Sequence, residues 1–289
     1  MIKKHVLVTG SRGMLGSVFV SMTSDLFAIS EFPQGCDIVN AQKVNKILEE
    51  IKPDIIFHSA AYTDVDGCEL NPEKAHQVNV EGTNNLISYC NKFGVNLVYI
   101  SSTGVYGDSK SDSRYIEDDE TYPTTTHHIT KLKAEKLVKS SLQKYLILRV
   151  GWLYGGHIEH KNNFVYKRFL EARNKTVIYS DNRQKGNPTN CHDVVNQVTL
   201  LLKNSYYGTF NCVNDAVNVS RYDYVKEIIR LFELNCSVEV ADHNMFNRAA
   251  SVSINESATN KKLTMLGLNI MPCWQDSLAR YIDELNIQI

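Results

Sequence analysis

The segment Val6-Leu7-Val8-Thr9-Gly10-Ser11-Arg12-Gly13-Met14-Leu15-Gly16 limits the fold more than any other stretch of the chain. His5 to Thr9 is an apolar, β-branched run that ends at a glycine, as a buried strand does, and a helical pattern follows from about Met14. Between them stand three glycines in G-x-x-G-x-x-G spacing. Such a loop lets the backbone turn sharply and approach a pyrophosphate, which then meets the amide dipoles at the helix N-terminus. Three glycines alone would be a weak signal, but in strand–loop–helix order they point to a dinucleotide site built from Gly10, Ser11, Arg12, Gly13, Met14, Leu15 and Gly16.

The rest of the first half repeats the alternation. Phe27 to Ile29 is a brief apolar segment; Asp54 to His58, Asn96 to Ile100 and Tyr145 to Val150 read as strands, and Val44 to Ile51, Pro72 to Cys90 and His127 to Ser140 carry helical spacing. Strands alternating with helices predict an α/β protein with a doubly wound parallel sheet of the Rossmann type. Beyond Gly151 the rhythm loosens, with helices expected at Phe164 to Arg173, Asp193 to Leu202, Tyr222 to Leu231 and Trp274 to Leu285. The expected division is a dinucleotide-binding domain over 1–150, completed by part of 187–214, and a smaller C-terminal α/β substrate lobe over 151–289. The polar stretch Asp108 to Thr125, with its acid cluster Glu117-Asp118-Asp119-Glu120, reads as a solvated loop.

A length of 289 residues accommodates a large core and a second lobe. With 31 basic and 32 acidic side chains the formal charge is -1, which argues against a general nucleic-acid binder. The seven cysteines are odd in number, scattered and never in C-x-x-C, so reduced thiols in a cytoplasmic protein are expected rather than a disulfide framework. No signal peptide and no membrane span is read. Glu31, 21 residues after Gly10, suits a ribose 2′-hydroxyl, whereas Arg12 suits a 2′-phosphate, so NAD and NADP both stay open.

Further segments carry a resemblance. The glycine loop, His58-Ser59-Ala60-Ala61-Tyr62-Thr63-Asp64-Val65-Asp66, Val78-Asn79, Ser101-Ser102-Thr103-Gly104-Val105-Tyr106-Gly107 and a lysine in the following helix resemble the extended short-chain dehydrogenase/reductases. Arg149 to Gly155, Asn163-Phe164 and Gly186-Asn187-Pro188-Thr189 resemble, more narrowly, its dTDP-4-dehydrorhamnose reductase branch. The resemblance implies a reductase of a nucleotide-linked 4-keto-6-deoxy sugar, with a homodimer paired through first-domain helices compatible with it. It adds Asp37, Ile38, Ala60, Ala61, Tyr62 and Asn79 to the cofactor set, and Thr63, Tyr106, Trp152, Asn163 and Arg248 as substrate-facing residues. For Trp152, stacking on a base and packing the lobe interface are equal readings; for Arg248, so are a diphosphate contact and a surface ion pair.

In that family Asn, Ser/Thr, Tyr and Lys do the chemistry, the tyrosine passing a proton to the sugar oxygen. The corresponding positions are Asn79, Ser102 with Thr103 beside it, and Lys131, which would hold the nicotinamide ribose. The tyrosine position, four before Lys131, holds His127. A neighbouring ammonium should push an imidazole below its usual value of about 6.5, leaving a poor proton donor at neutral pH. His127 is thus read as a weaker acid, as a base for the reverse oxidation, or as the mark of a catalytically degenerate dinucleotide-binding regulatory or partner subunit. Water or His128 as the proton source is a further option. No metal is expected: the magnesium-binding glutamate that the family has soon after the glycine loop is not evident, Val18 occupying that neighbourhood, and the spacing of His157, Glu159 and His160 matches no metal motif.

Overall fold

In the computed structural model, which describes residues 3–110, 113–242, 245–246, 248–285 and 287, the apolar runs form one six-stranded parallel sheet. The first half supplies β1 (His5–Thr9), α1 (Met14–Thr23), β2 (Ala28–Glu31), α2 (Ala41–Ile51), β3 (Ile55–His58), α3 (Val65–Leu70), α4 (Pro72–His76), α5 (Gly82–Phe93), β4 (Asn96–Ser102), α6 (Thr126–Ser141) and β5 (Tyr145–Val150). There follow β6 (Trp152–Tyr154), α7 (Phe164–Arg173), β7 (Val177–Ser180), β8 (Pro188–Asn190), α8 (Cys191–Lys203) and β9 (Gly208–Cys212). The chain continues through α9 (Arg221–Leu231), β10 (Ser237–Val240), α10 (Lys261–Met265) and α11 (Trp274–Leu285).

The sheet order is β2-β1-β3-β4-β5-β9. The connection that leaves β1 runs to β2 on one side and the connection that leaves β3 runs to β4 on the other, so a crevice opens at the carboxyl ends of β1 and β3. Val6, Val8, Phe57 and Val98 pack against Leu15 and Phe19 of α1 and Val194 and Val198 of α8. The alternate residues Leu7, Ile56, Leu97 and Ile147 meet Val44 and Leu48 of α2, Leu86 of α5 and Val138 of α6. Both faces are covered, so the strands read as continuous apolar runs, and each fully buried side chain of this kind contributes roughly 1.5–3 kcal/mol.

The sixth and last strand of the sheet comes from the second half: β9 pairs with β5 in parallel register, Leu146 beside Gly208 through Val150 beside Cys212. The remaining C-terminal elements surround an aromatic cluster of Trp152, Tyr154, Phe169, Tyr224, Trp274 and Tyr281. Two short parallel pairs, β6 with β8 and β7 with β10, complete this lobe.

Two expectations need correction. The single helix read over Pro72 to Cys90 is three pieces, because a π-turn over Gln77–Glu81 separates α4 from α5. There the Thr83 hydroxyl donates to the Asn79 carbonyl at 2.7 Å, and the widened turn carries the Asn79 side chain toward the loop after β3. In the acid cluster, Glu117 is not solvated: it is 6% exposed and accepts from the Asn211 and Lys262 amides at 3.1 and 3.2 Å. Those partners lie far along the chain, where local composition carries no signal. Among the described residues every cysteine is a free thiol, and no helix is long and apolar enough to cross a membrane.

Candidate active site

The loop after β1 is shaped by close approach. Gly10 has φ +69°, and a Cβ on it would lie 2.7 Å from the Ala60 amide nitrogen; a Cβ on Gly16 would lie 2.2 Å from the Gly10 carbonyl oxygen. Gly13 caps α1 and offers no side chain to its first turn. The Gly13 amide donates to Gly10 and the Ser17 amide to Gly13, so the amides of Met14, Leu15 and Gly16 have no intrahelical acceptor. Bare amides at a helix N-terminus, beside glycines that admit no side chain, fit a dinucleotide diphosphate. Opposite them, Ser59 donates to the Thr9 carbonyl at 2.7 Å and fastens the end of β3 to that of β1.

From this loop a cleft of about 620 Å³ runs along the carboxyl edge of the sheet to the C-terminal lobe. It brings together Gly10, Arg12, Gly13, Met14, Leu15, Gly16, Ala60, Ala61, Thr63, Ser102, His127, Lys131, Trp152 and Arg248. Other expected site residues stay off its wall. Ser11 is half-buried in the loop, Glu31 ends β2 in an exposed position, Asp37 is exposed and accepts from the Val39 amide, and Ile38 packs in the core. Thr103 is buried in the short turn after β4. Tyr106 is fully buried: its hydroxyl donates to Asn211 Oδ1 at 2.7 Å and its ring stacks on Tyr115. Asn163 is taken by structure too, capping α7 through Oδ1 and donating to the Tyr281 hydroxyl at 2.7 Å.

Asn79 works one step back from the cleft. Its Oδ1 accepts from the Tyr62 amide at 2.7 Å and its Nδ2 donates to the Tyr62 carbonyl at 3.1 Å and to Thr130 Oγ1 at 3.0 Å. This clamp sets the backbone of Tyr62, whose carbonyl is also 3.1 Å from His127 Nδ1.

Helix α6 delivers the polar centre. Thr125 caps it, accepting from the His128 amide, and the four-residue spacing puts His127 and Lys131 on one face, toward the cleft. Ser102 ends β4, where its Oγ accepts from the Gly104 amide at 3.2 Å and lies 3.4 Å from His128 Nε2. The His128 ring occupies the space that a side chain at Gly104 would need. Lys131 is 6% exposed, with Nζ 4.5 Å from the Tyr99 ring centroid. Glu135, one turn on, is held by Arg149 at 2.8 and 3.0 Å and by Ser101 at 2.6 Å. Burial lowers the Lys131 amine to about 8, against a smaller raising pull from Glu135. It lowers His127 to about 3, with His128 and Lys131 adding like-charge repulsion, and His128 to about 4. The downward direction agrees with the like-charge argument, but desolvation is the larger cause.

At the far end of the cleft, beside the expected Trp152 and Arg248, stand Arg221, Gln184 and Glu256, which no sequence motif marks. The Arg221 guanidinium lies 3.5 Å over the Trp152 ring and its Nε donates to Gln184 Oε1; Trp152 Nε1 donates to Glu256 Oε2 at 3.0 Å. The Ser220–Asp223 capping box marks where α9 starts, though not which way Arg221 points. His160, for which the sequence spacing predicts no role, lies over the loop with Nε2 3.1 Å from the Arg12 carbonyl. Among the described residues no three His, Cys, Asp or Glu side chains converge as metal ligands.

A glycine-lined amide cradle at the switch point of a parallel sheet, with serine and lysine beside it, defines a dinucleotide-binding protein of the extended short-chain dehydrogenase/reductase type. More narrowly, the chain belongs to the family described as the RmlD substrate binding domain, whose model matches residues 4–287. It is similar to a dTDP-4-dehydrorhamnose reductase of Clostridium acetobutylicum, with a TM-score of 0.93, 30% identity and coverage of 98% of this chain and 100% of that one. A dTDP-4-dehydrorhamnose reductase of Bacillus anthracis, solved in complex with NADP, gives 0.92 at 29% identity, with coverage of 98% and 100%. The probable low-salt glycan biosynthesis reductase Agl14 of Haloferax volcanii is 27% identical over 92% of this chain and 90% of its own.

Proposed function

We propose that the chain is an NAD(P)H-dependent reductase of a 4-keto-6-deoxyhexose carried on a nucleoside diphosphate, serving surface polysaccharide biosynthesis in the cytoplasm. One observation carries the reading: the bare amides of α1, the Ser102–Lys131 pair and the Arg221, Arg248 and Trp152 end share a single cleft. When bound, the dinucleotide supplies hydride. Met14, Leu15 and Gly16 amides hold its diphosphate, and Lys131, with three N–H donors, holds ribose hydroxyls. Ser102 donates to the sugar oxygen and orients the carbonyl. Arg221 and Arg248 set positive charge for the sugar nucleotide's diphosphate, and Trp152 offers a face already braced by Arg221. In the same reading residues 1–150 with part of 187–214 bind the cofactor, 151–289 close over the sugar, and two copies form the working unit.

Mixing the purified protein with NADPH or NADH and a dTDP-4-keto-6-deoxyhexose should consume the reduced-nicotinamide absorbance. His127 at the tyrosine position favours a second reading, a subunit that binds dinucleotide without turnover. Tight NADPH binding with no oxidation anywhere between about pH 5 and 9 would establish that reading in place of the first.

A further inference from the structure

We propose that the proton delivered to the sugar oxygen comes from the Lys131 ammonium, and that His127 meets the substrate as a hydrogen-bond acceptor. The inference rests on the reductase reading above. Its first support is the contact between His127 Nδ1 and the Tyr62 carbonyl at 3.1 Å. A carbonyl oxygen only accepts, so Nδ1 carries the hydrogen and Nε2 of the neutral ring carries a lone pair. Tyr62 does not swing away to release that tautomer, because Asn79 grips its amide and its carbonyl. The ring lines the cleft, and no described group donates to Nε2. A side chain so arranged receives a hydrogen bond; it has no proton to give.

The second support is the lysine. Lys131 lines the same cleft one turn along, buried and, among the described residues, without a carboxylate within ion-pairing distance; Glu135 is committed to Arg149, Ser101 and Lys139. The groups facing it from the surrounding elements are His127, His128 and Glu135 on α6, Tyr99 on β4 and His58 on β3, with Arg149 of β5 behind Glu135. His58 is engaged with Thr9 and Thr83 hydroxyls at 2.7 and 2.9 Å. The three imidazoles are held neutral, the Tyr99 hydroxyl donates into the backbone of Lys131, and Ser102 has no charge to shed. Among the groups packed around it, the ammonium is thus the acid available to the cleft. In the step, the carbonyl carbon takes the hydride, the carbon–oxygen π bond breaks toward oxygen, and that oxygen takes a proton from Nζ. The neutral amine left behind regains a proton from water.

The tautomer is read directly by nitrogen NMR of the histidines in the unaltered protein. His127 should show a protonated Nδ1 and a bare Nε2 from about pH 5 to 9. In turnover, kcat/KM should fall on the alkaline side through one ionisation near 8, the lowered value of the Lys131 amine. His127→Gln should lower kcat by less than about tenfold, the scale of one neutral hydrogen bond, and leave the alkaline limb where it was. Lys131→Met should lower kcat by roughly 10²–10⁴ and abolish that limb. A hydrogen on Nε2, or an ionisation between about 5 and 7 that governs the rate and vanishes in His127→Gln, would overturn the assignment and leave the reductase reading standing. No oxidation of either reduced dinucleotide by the unaltered protein at any pH would overturn both.

Discussion

Tyr106 shows how a residue type in a suggestive motif can belong to the core. It follows Ser102 by four positions, close enough in sequence to suggest a substrate contact, yet the chain turns after β4 and sends the ring inward. Its hydroxyl there satisfies Asn211 Oδ1, a buried acceptor with no other described donor. Tyr106→Phe should therefore cost about 1–3 kcal/mol of stability, because it strands that oxygen, and leave KM for the sugar nucleotide unchanged. Urea unfolding alongside Michaelis kinetics separates the two roles: a higher KM with unaltered stability would put the hydroxyl at the substrate. Arg221 is the converse case. It sits in an ordinary amphipathic helix, and only the stacking on Trp152, 69 positions earlier, brings it to the cleft.

At the scale of elements, the loop from β1 to α1 bears the most, and Gly16 tests it. An added methyl meets the Gly10 carbonyl, which is backbone and cannot swing aside, so Gly16→Ala must move the turn that presents the Met14 and Leu15 amides. Overpacking of this kind costs about 1–3 kcal/mol, and dinucleotide affinity measured by calorimetry should fall at least about tenfold with it. Unaltered affinity in a stable variant would mean that these amides hold no diphosphate. This loop was legible in the sequence because its geometry is local: strand, three glycines and helix lie within twelve residues of one another. The sheet strands were legible for the same reason, since burial on both faces leaves unbroken apolar runs in β1, β3, β4 and β5. The short strands β6, β8 and β10 were not, because three or four residues of mixed polarity, such as Pro188–Asn190, have no period to read. The π-turn escaped because it is set by what Asn79 reaches for, Tyr62 and Thr130, and not by the residues flanking it. Similarly, the family pattern located Lys131 and its unusual neighbour His127, whereas the tautomer of that neighbour depends on a carbonyl 65 positions away.

The whole molecule carries an electrostatic cost at its centre. His58, His127 and His128 lie buried around Lys131, and desolvation lowers them to about 3, 3 and 4. In the unfolded chain each titrates near 6.5. Their folded values are depressed, so between about pH 6.5 and 4 the unfolded chain binds protons that the folded chain refuses. Their contribution is whole above 6.5 and is lost as the solution becomes more acidic. Each imidazole takes away about 1.4 kcal/mol per pH unit in that window, about 4 kcal/mol per unit for the three together before carboxylates respond. Glu117 and Glu256, whose carboxyls burial raises, oppose this trend, while Glu135, lowered by Arg149, joins it below the usual carboxylate range. The urea midpoint should accordingly hold steady from about pH 8 to 7 and drop steeply between about 6 and 5. His128→Asn should flatten that drop by about a third, since it removes one of the three protons from the unfolded side. A midpoint that stays level from pH 7 to 5 would mean that these rings are charged inside the fold, and the neutral acceptor at His127 would go with them. The working range is thereby bounded by two different events: loss of the fold on the acid side, and loss of the Lys131 proton on the alkaline side.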